Sequence, residues 1–231
     1  MKLENLPIKI FADGADLATM LRLNSDPLIK GLTTNPSLMR KAGVKNYEAF
    51  ARSVLVEVTS KPISFEVFAD DFDGMERQAR EISTWGSNVY VKIPVMNPEG
   101  ETSLRLIKRL AAAGVRLNIT AILTSRQIEE VTQMLNPDIP AIISVFCGRI
   151  MDTGRDVPRI NGSITDHQFL WASTREPWNI RQAADLGYDI ITVPPDILAK
   201  AQLMFGMDLT TLSKQTVQMF ADDAQAAGYT L

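Results

Sequence analysis

Eight short β-rich runs alternate with longer segments of helical period along this chain, and that alternation leaves few architectures open. The runs fall at 8–11, 29–32, 63–68, 89–93, 116–122, 141–146, 169–172 and 189–193. Between them, 15–23, 47–59, 71–84, 102–113, 125–135 and 178–185 carry apolar residues at three- and four-residue spacing, the period of a helix with one buried face. Strand then helix, repeated eight times, predicts a closed (β/α)8 TIM barrel of the α/β class. The main alternative is an open doubly wound sheet. No glycine-rich dinucleotide loop or Walker-type loop follows any run, so that sheet lacks its usual ligand site. The 231 residues suit one barrel, and a single domain over 1–231 is expected.

The segment 150–167 breaks the alternation, because Gly154, Gly162 and Pro158 disfavour a long helix. A loop or a very short helix is expected there, giving a shortened sixth βα segment. After the eighth run, 195–203 reads as a short helix. The stretch 209–227 reads as an additional amphipathic C-terminal helix with Leu212, Val217, Met219 and Phe220 available for packing. Such a helix packs on its own barrel or on a neighbouring subunit. The second arrangement makes the chain a homo-oligomer through this helix.

Within the fourth run, Val89, Val91, Ile93 and Val95 take one side of the period while Tyr90 and Lys92 take the other, and Pro94 closes the run. Lys92 therefore emerges near the C-terminal end of a strand. An amine pressed against apolar neighbours loses hydration of its charged form and gains nucleophilicity at neutral pH; the plainer reading is a lysine that snorkels from an edge strand. Composition narrows the chemistry further. Cys147 is the only cysteine and His167 the only histidine. The first count leaves no intrachain disulfide or thiolate cluster, and the second removes the two or three imidazoles that zinc hydrolysis usually uses. A carbonyl electrophile would then have to be activated covalently, or by a magnesium-type oxygen site. A formal net charge of -3, with 24 Lys+Arg and 27 Asp+Glu mixed along the chain, argues against nucleic acid or a membrane face as partner. With no apolar signal core at the start and no membrane-length apolar run, cytoplasm is the expected compartment.

Reacting groups of such a barrel project from the C-terminal ends of the strands. There the chain offers Asp13, the segment Thr33-Thr-Asn-Pro-Ser37, Glu66, Lys92, Asn118 with Thr120, Ser144, Phe146 and Arg149, and Ser173 with Arg175. Singly, each has a bland role: Asp13 and Asn35 as helix caps, Thr120 as an ordinary strand residue. Glu66, between Phe65, Val67 and Phe68, needs a partner for its carboxylate. Together, a lysine, two carboxylates and a threonine hydroxyl suit imine chemistry on a ketone. Arg149, Ser173 and Arg175 suit an oxyanion.

The segments Phe11-Ala-Asp-Gly-Ala-Asp16, Gly31-Leu-Thr-Thr-Asn-Pro-Ser37, Val91-Lys-Ile-Pro94, Asn118-Ile-Thr120, Ser144-Val-Phe-Cys-Gly-Arg149 and Ala172-Ser-Thr-Arg175 resemble, in order, the signatures of the transaldolase family. That resemblance implies a cofactor-free class I aldolase barrel of carbohydrate metabolism, in which Lys92 forms the Schiff base. It implies Asp13 as general acid/base, Glu66 with Thr120 as holders of the water of imine formation, and Asn35, Asn118 and Ser144 as contacts to donor hydroxyls. Arg149, Ser173 and Arg175 would take a terminal phosphate. Fructose-6-phosphate aldolases, within the same resemblance, usually carry Gln at the position of Glu66 and Tyr at that of Phe146. The chain has Glu and Phe, which favours transfer of a dihydroxyacetone unit to an aldehyde over its free release. It departs from the family in 150–167, in Asn97-Pro98 and in Cys147, which leaves open whether the ketose carries a phosphate or another anionic tail. The competing expectations are a simple aldolase, a non-catalytic sugar-phosphate-binding barrel, and a Mg-dependent enzyme ligated by Asp13 and Glu66.

Overall fold

The structure, a computed structural model, describes residues 2–160 and 167–230. Eight parallel strands close into a barrel in sequence order: β1 (Lys9–Asp13), β2 (Ile29–Thr33), β3 (Ile63–Glu66), β4 (Val89–Pro94), β5 (Leu117–Ile122), β6 (Ile142–Val145), β7 (Gln168–Trp171) and β8 (Ile190–Val193). The helices are α1 (Leu17–Asn24), α2 (Pro36–Lys41), α3 (Tyr47–Glu57), α4 (Phe72–Ser83), α5 (Leu104–Ala112), α6 (Ser125–Met134), α7 (Cys147–Asp152), α8 (Trp178–Asp185), α9 (Pro195–Met204) and α10 (Leu209–Ala226). The closed barrel expected from the alternation is thus the observed one. The shortened sixth segment is α7, followed by 153–160 without helix or strand; 161–166 lie outside the described residues.

Side-chain alternation sorts the strands into two cores. Outward positions such as Val89, Val91 and Ile93 join the large cluster between barrel and helices, all at most 3% exposed. Inward positions Phe11, Ile142, Leu170, Ala172 and Ile190 form a small plug inside the barrel, with Tyr90 and Phe146 packed against it. Gly31 makes room for that plug, since a Cβ there would lie 2.5 Å from the Phe11 ring. Nearer the C-terminal rim the buried inward residues turn polar, among them Thr33, Lys92, Asn118, Thr120, Ser144 and Thr192. Apolar floor and polar mouth together place the chemistry at one end.

Two elements differ from the sequence reading. Asn35 caps a helix, as its bland reading had it, but that helix, α2, lies outside the segments of helical period: Asn35 Oδ1 accepts from the Leu38 N–H at 3.0 Å, and Pro36 occupies the first turn. The third run ends at Glu66 rather than at 68. The N–H groups of Phe68 and Ala69 donate to Gln78 Oε1 on α4, each at 2.9 Å, and leave the sheet. Helix α10 has the expected length but no buried residue along it. Among the described residues no helix is long and apolar enough to cross a membrane.

Candidate active site

Strand register brings the central groups together: Lys92 pairs with Glu66 on one side and with Asn118 on the other. The Lys92 side chain is 8% exposed, with Nζ 3.3 Å from Glu66 Oε2, and Nζ donates to the Thr34 carbonyl at 3.2 Å. Its neighbours differ from the apolar ones expected. Val91 and Ile93 flank it in sequence but point outward with the period of the strand, so the inward amine meets a carboxylate and a carbonyl instead.

Glu66 is fixed through its own backbone. Tyr47 Oη accepts from the Glu66 N–H and donates to the Glu66 carbonyl, both at 2.7 Å. Tyr47 opens α3 and packs edge-on against Phe65, and burial raises its phenol above the usual range. Sequence reasoning missed this tyrosine, since only tertiary packing joins α3 to the end of β3.

Asp13 ends β1, and Thr33 Oγ1 donates to its Oδ1 at 2.9 Å. Its pKa is raised from the usual aspartate value, chiefly because burial disfavours the carboxylate. The Lys92 charge and the Thr33 hydrogen bond counteract this, and the Glu66 charge adds to it. A carboxyl pulled both ways suits proton exchange nearer neutrality than a free aspartate.

Asn118, fully buried, donates from Nδ2 to Ser64 Oγ at 2.9 Å and accepts from Ser144 Oγ at 2.7 Å. Ser64 is a further member that the sequence did not single out. Thr120 is 1% exposed and its hydroxyl has no protein partner among the described residues. Just beyond it Ala121 adopts φ 60, where the β5–β6 register shifts between Ile119 and Ile122. A left-handed alanine at a bulge is strained, and bulges of this kind re-aim neighbouring side chains.

A cavity of about 180 Å³ opens over these residues. Its wall includes Asp13, Asn35, Lys92, Ser144, Phe146, Arg149, Ser173 and Arg175. Glu66, Asn118 and Thr120 do not line it; Glu66 connects to it through Lys92 and Asn118 through Ser144. The Arg149 guanidinium lies 5.2 Å from the centre of the Phe146 ring. Arg175 is not free: Nη2 and Nε donate to Asp152 at 2.5 and 3.3 Å, which holds the Asp152 carboxyl below its usual range. Both side chains are about half exposed, so the pair is weak and open to exchange with an incoming anion. Ser173 adopts φ 66 with its carbonyl against Gly148, where a Cβ would lie 1.7 Å from the Ser173 oxygen. The glycine therefore permits the backbone turn that brings Ser173 and Arg175 to the rim.

Cys147 is buried; its thiol donates to Tyr188 Oη at 3.3 Å, and burial pushes its pKa up to about 12. It is a neutral packing residue. His167 is also buried and does not line the cavity. Among the described residues no three His, Cys, Asp or Glu side chains are grouped so as to hold a metal ion.

The family model described as Transaldolase/Fructose-6-phosphate aldolase matches residues 10–231. A "Probable transaldolase" of Thermoanaerobacter sp. (strain X514) is 33% identical over 230 residues, covering 96% of this chain and 99% of that protein. Another, of Nitrosopumilus maritimus (strain SCM1), is 32% identical over 202 residues, 84% of this chain and 86% of its own. The crystal structure of a dihydrodipicolinate synthase from Agrobacterium tumefaciens str. C58 superposes with a TM-score of 0.56 at 10% identity, over 87% of this chain and 74% of that one. That likeness is one of fold alone.

Proposed function

Because the chain belongs to the transaldolase/fructose-6-phosphate aldolase family, we propose that it transfers a dihydroxyacetone unit from an anionic ketose to an aldehyde through a Schiff base on Lys92. The observation that carries this reading is the buried Lys92 amine, 3.3 Å from the Glu66 carboxylate, lining a cavity that Asp13 also lines.

Within the ion pair Lys92 first passes a proton to Glu66, the acceptor beside the amine. The free amine adds to the ketone carbon. Glu66 then protonates the carbinolamine hydroxyl, which leaves as water held by Glu66 and the unpartnered Thr120 hydroxyl. Asp13 takes the proton of the C4 hydroxyl, the C3–C4 bond breaks, and its electron pair neutralises the iminium to an enamine. The first aldehyde departs. The enamine adds to a second aldehyde, Asp13 returns its proton to the new alkoxide, and water hydrolyses the restored iminium. Ser144 and the Asn35 amide face donor hydroxyls, while Arg149, Ser173 and Arg175 take the anionic tail, a phosphate or a similar group.

Phe146 supports transfer over free cleavage, because a phenyl ring has no proton to give the enamine and a tyrosine at that place has. A coupled assay with fructose 6-phosphate tests this. The expected result is turnover only when an acceptor aldehyde is present; dihydroxyacetone released at the same rate without acceptor indicates an aldolase. A bare sugar-phosphate-binding barrel gives neither.

The same reading includes a homo-oligomer, supported by α10. Its Leu209, Val217, Met219 and Phe220 are 50–77% exposed, and no residue of the helix is buried. Cytoplasm remains the compartment that suits a one-cysteine sugar-phosphate enzyme.

A further inference from the structure

Strand β1 hydrogen-bonds to β2 on one side and to β8 on the other; β2 places the Thr33 hydroxyl on the Asp13 carboxylate, and β8 places the Thr192 hydroxyl on that of Thr33. Thr33 Oγ1 lies 2.9 Å from Asp13 Oδ1 and 2.5 Å from Thr192 Oγ1. A hydroxyl has one proton to donate. Thr33 gives its proton to the carboxylate, so in the second contact Thr192 is the donor. The row of protons has one direction, from Thr192 to Thr33 to Asp13. Thr192 is itself held in place, since its carbonyl accepts from Thr174 Oγ1 at 2.7 Å. Both threonines are at most 5% exposed, on the wall of the cavity that Asp13 also lines.

We propose that Thr192 is a positioning residue for Asp13: by donating to Thr33 it locks the Thr33 hydroxyl toward Oδ1 and leaves Oδ2 to the substrate. The proposal rests on Asp13 being the proton carrier at the cleaved bond. β2 and β8 contribute no charge beside Asp13, only these hydroxyls. The charged groups that face it are Lys92 from β4 and Glu66 from β3, with Arg149 and Arg175 on the cavity wall and Asp16, Lys41 and Asp196 on the wall of an adjoining pocket. All of these remain when Thr192 is changed.

Removing the Thr192 donor frees the Thr33 hydroxyl to rotate away, and the carboxylate then loses a stabilising hydrogen bond. In Thr192→Val the acid limb of the kcat profile for transfer should move to higher pH, with kcat down about tenfold or more at neutral pH. Thr192→Ser should restore both. Thr33→Val should shift the limb in the same way, and the double variant no further. Borohydride trapping of dihydroxyacetone on Lys92, which needs no bond cleavage, should be unchanged in Thr192→Val and reports folding of the site. A normal adduct with an unmoved acid limb overturns the positioning role, as does a Thr192→Ser variant as impaired as Thr192→Val. Should Thr192→Val lose the adduct, comparison of Thr192→Ser with Thr192→Ala decides in the same way, equal limbs contradicting the role. Absence of any adduct in the unaltered protein overturns the Schiff-base reading itself.

Discussion

Lys92 and Glu66 occupy paired positions on adjacent strands, and their side chains meet with Nζ 3.3 Å from Oε2. The pairing follows from β-sheet register and puts a proton acceptor beside the amine that must lose a proton. Glu66→Gln keeps the shape and removes the charge. Adduct formation and hydrolysis should both slow, by roughly a hundredfold, because the same carboxyl serves both steps. Rapid-quench borohydride trapping measures the first; an unchanged rate contradicts the role.

Asp13 carries a cost in the fold as well as a task. Its folded pKa is raised above 3.8, so between 3.8 and that higher value the folded chain binds more protons than the unfolded one. Stability due to this group therefore falls as pH rises through that window and stays lowered at neutral pH. Asp13→Asn should abolish transfer while raising Tm at pH 7, and the gain should vanish below about pH 3.8. Thermal melts across pH check the sign, and a lower Tm at pH 7 contradicts it.

Gly148→Ala places a methyl group 1.7 Å from the Ser173 carbonyl oxygen. The Ser173 backbone has to move, and Arg175 moves with it. We expect KM for a phosphorylated ketose to rise at least tenfold, with dihydroxyacetone, which has no tail, still trapped on Lys92. Steady-state kinetics on both substrates test this, and an unchanged KM contradicts it.

Helix α10 exposes Val217, Met219 and Phe220. If a second copy covers this face, Phe220→Glu should lower the solution mass toward the 25.6 kDa of one chain. Light scattering at several concentrations gives the answer. A mass unchanged by the substitution counts against the helix as interface.

The barrel was legible because each strand is a short apolar run and each helix a periodic one, so local pattern and global fold agree. Helix α2 was not, since its six residues, Pro36–Lys41, are too few to show a helical period even behind a recognisable cap at Asn35. At the site, rim position alone nominated Lys92, Asp13, Glu66 and Arg175. What surrounds them depends on inter-strand register and on crossing helices, which no local window contains. Hence Tyr47 beneath Glu66, Ser64 beside Asn118, Asp152 on Arg175 and Thr192 behind Thr33 emerge only in three dimensions. The lysine's partners proved polar for the same reason: alternation turns Val91 and Ile93 away from it.

The central claim is a covalent intermediate on one lysine. Sodium borohydride added with fructose 6-phosphate or dihydroxyacetone, followed by peptide mass mapping, should find a reduced three-carbon adduct on Lys92, and none in Lys92→Met. No adduct across a panel of phosphorylated and sulfonated ketoses, or an adduct on another lysine, would contradict the account.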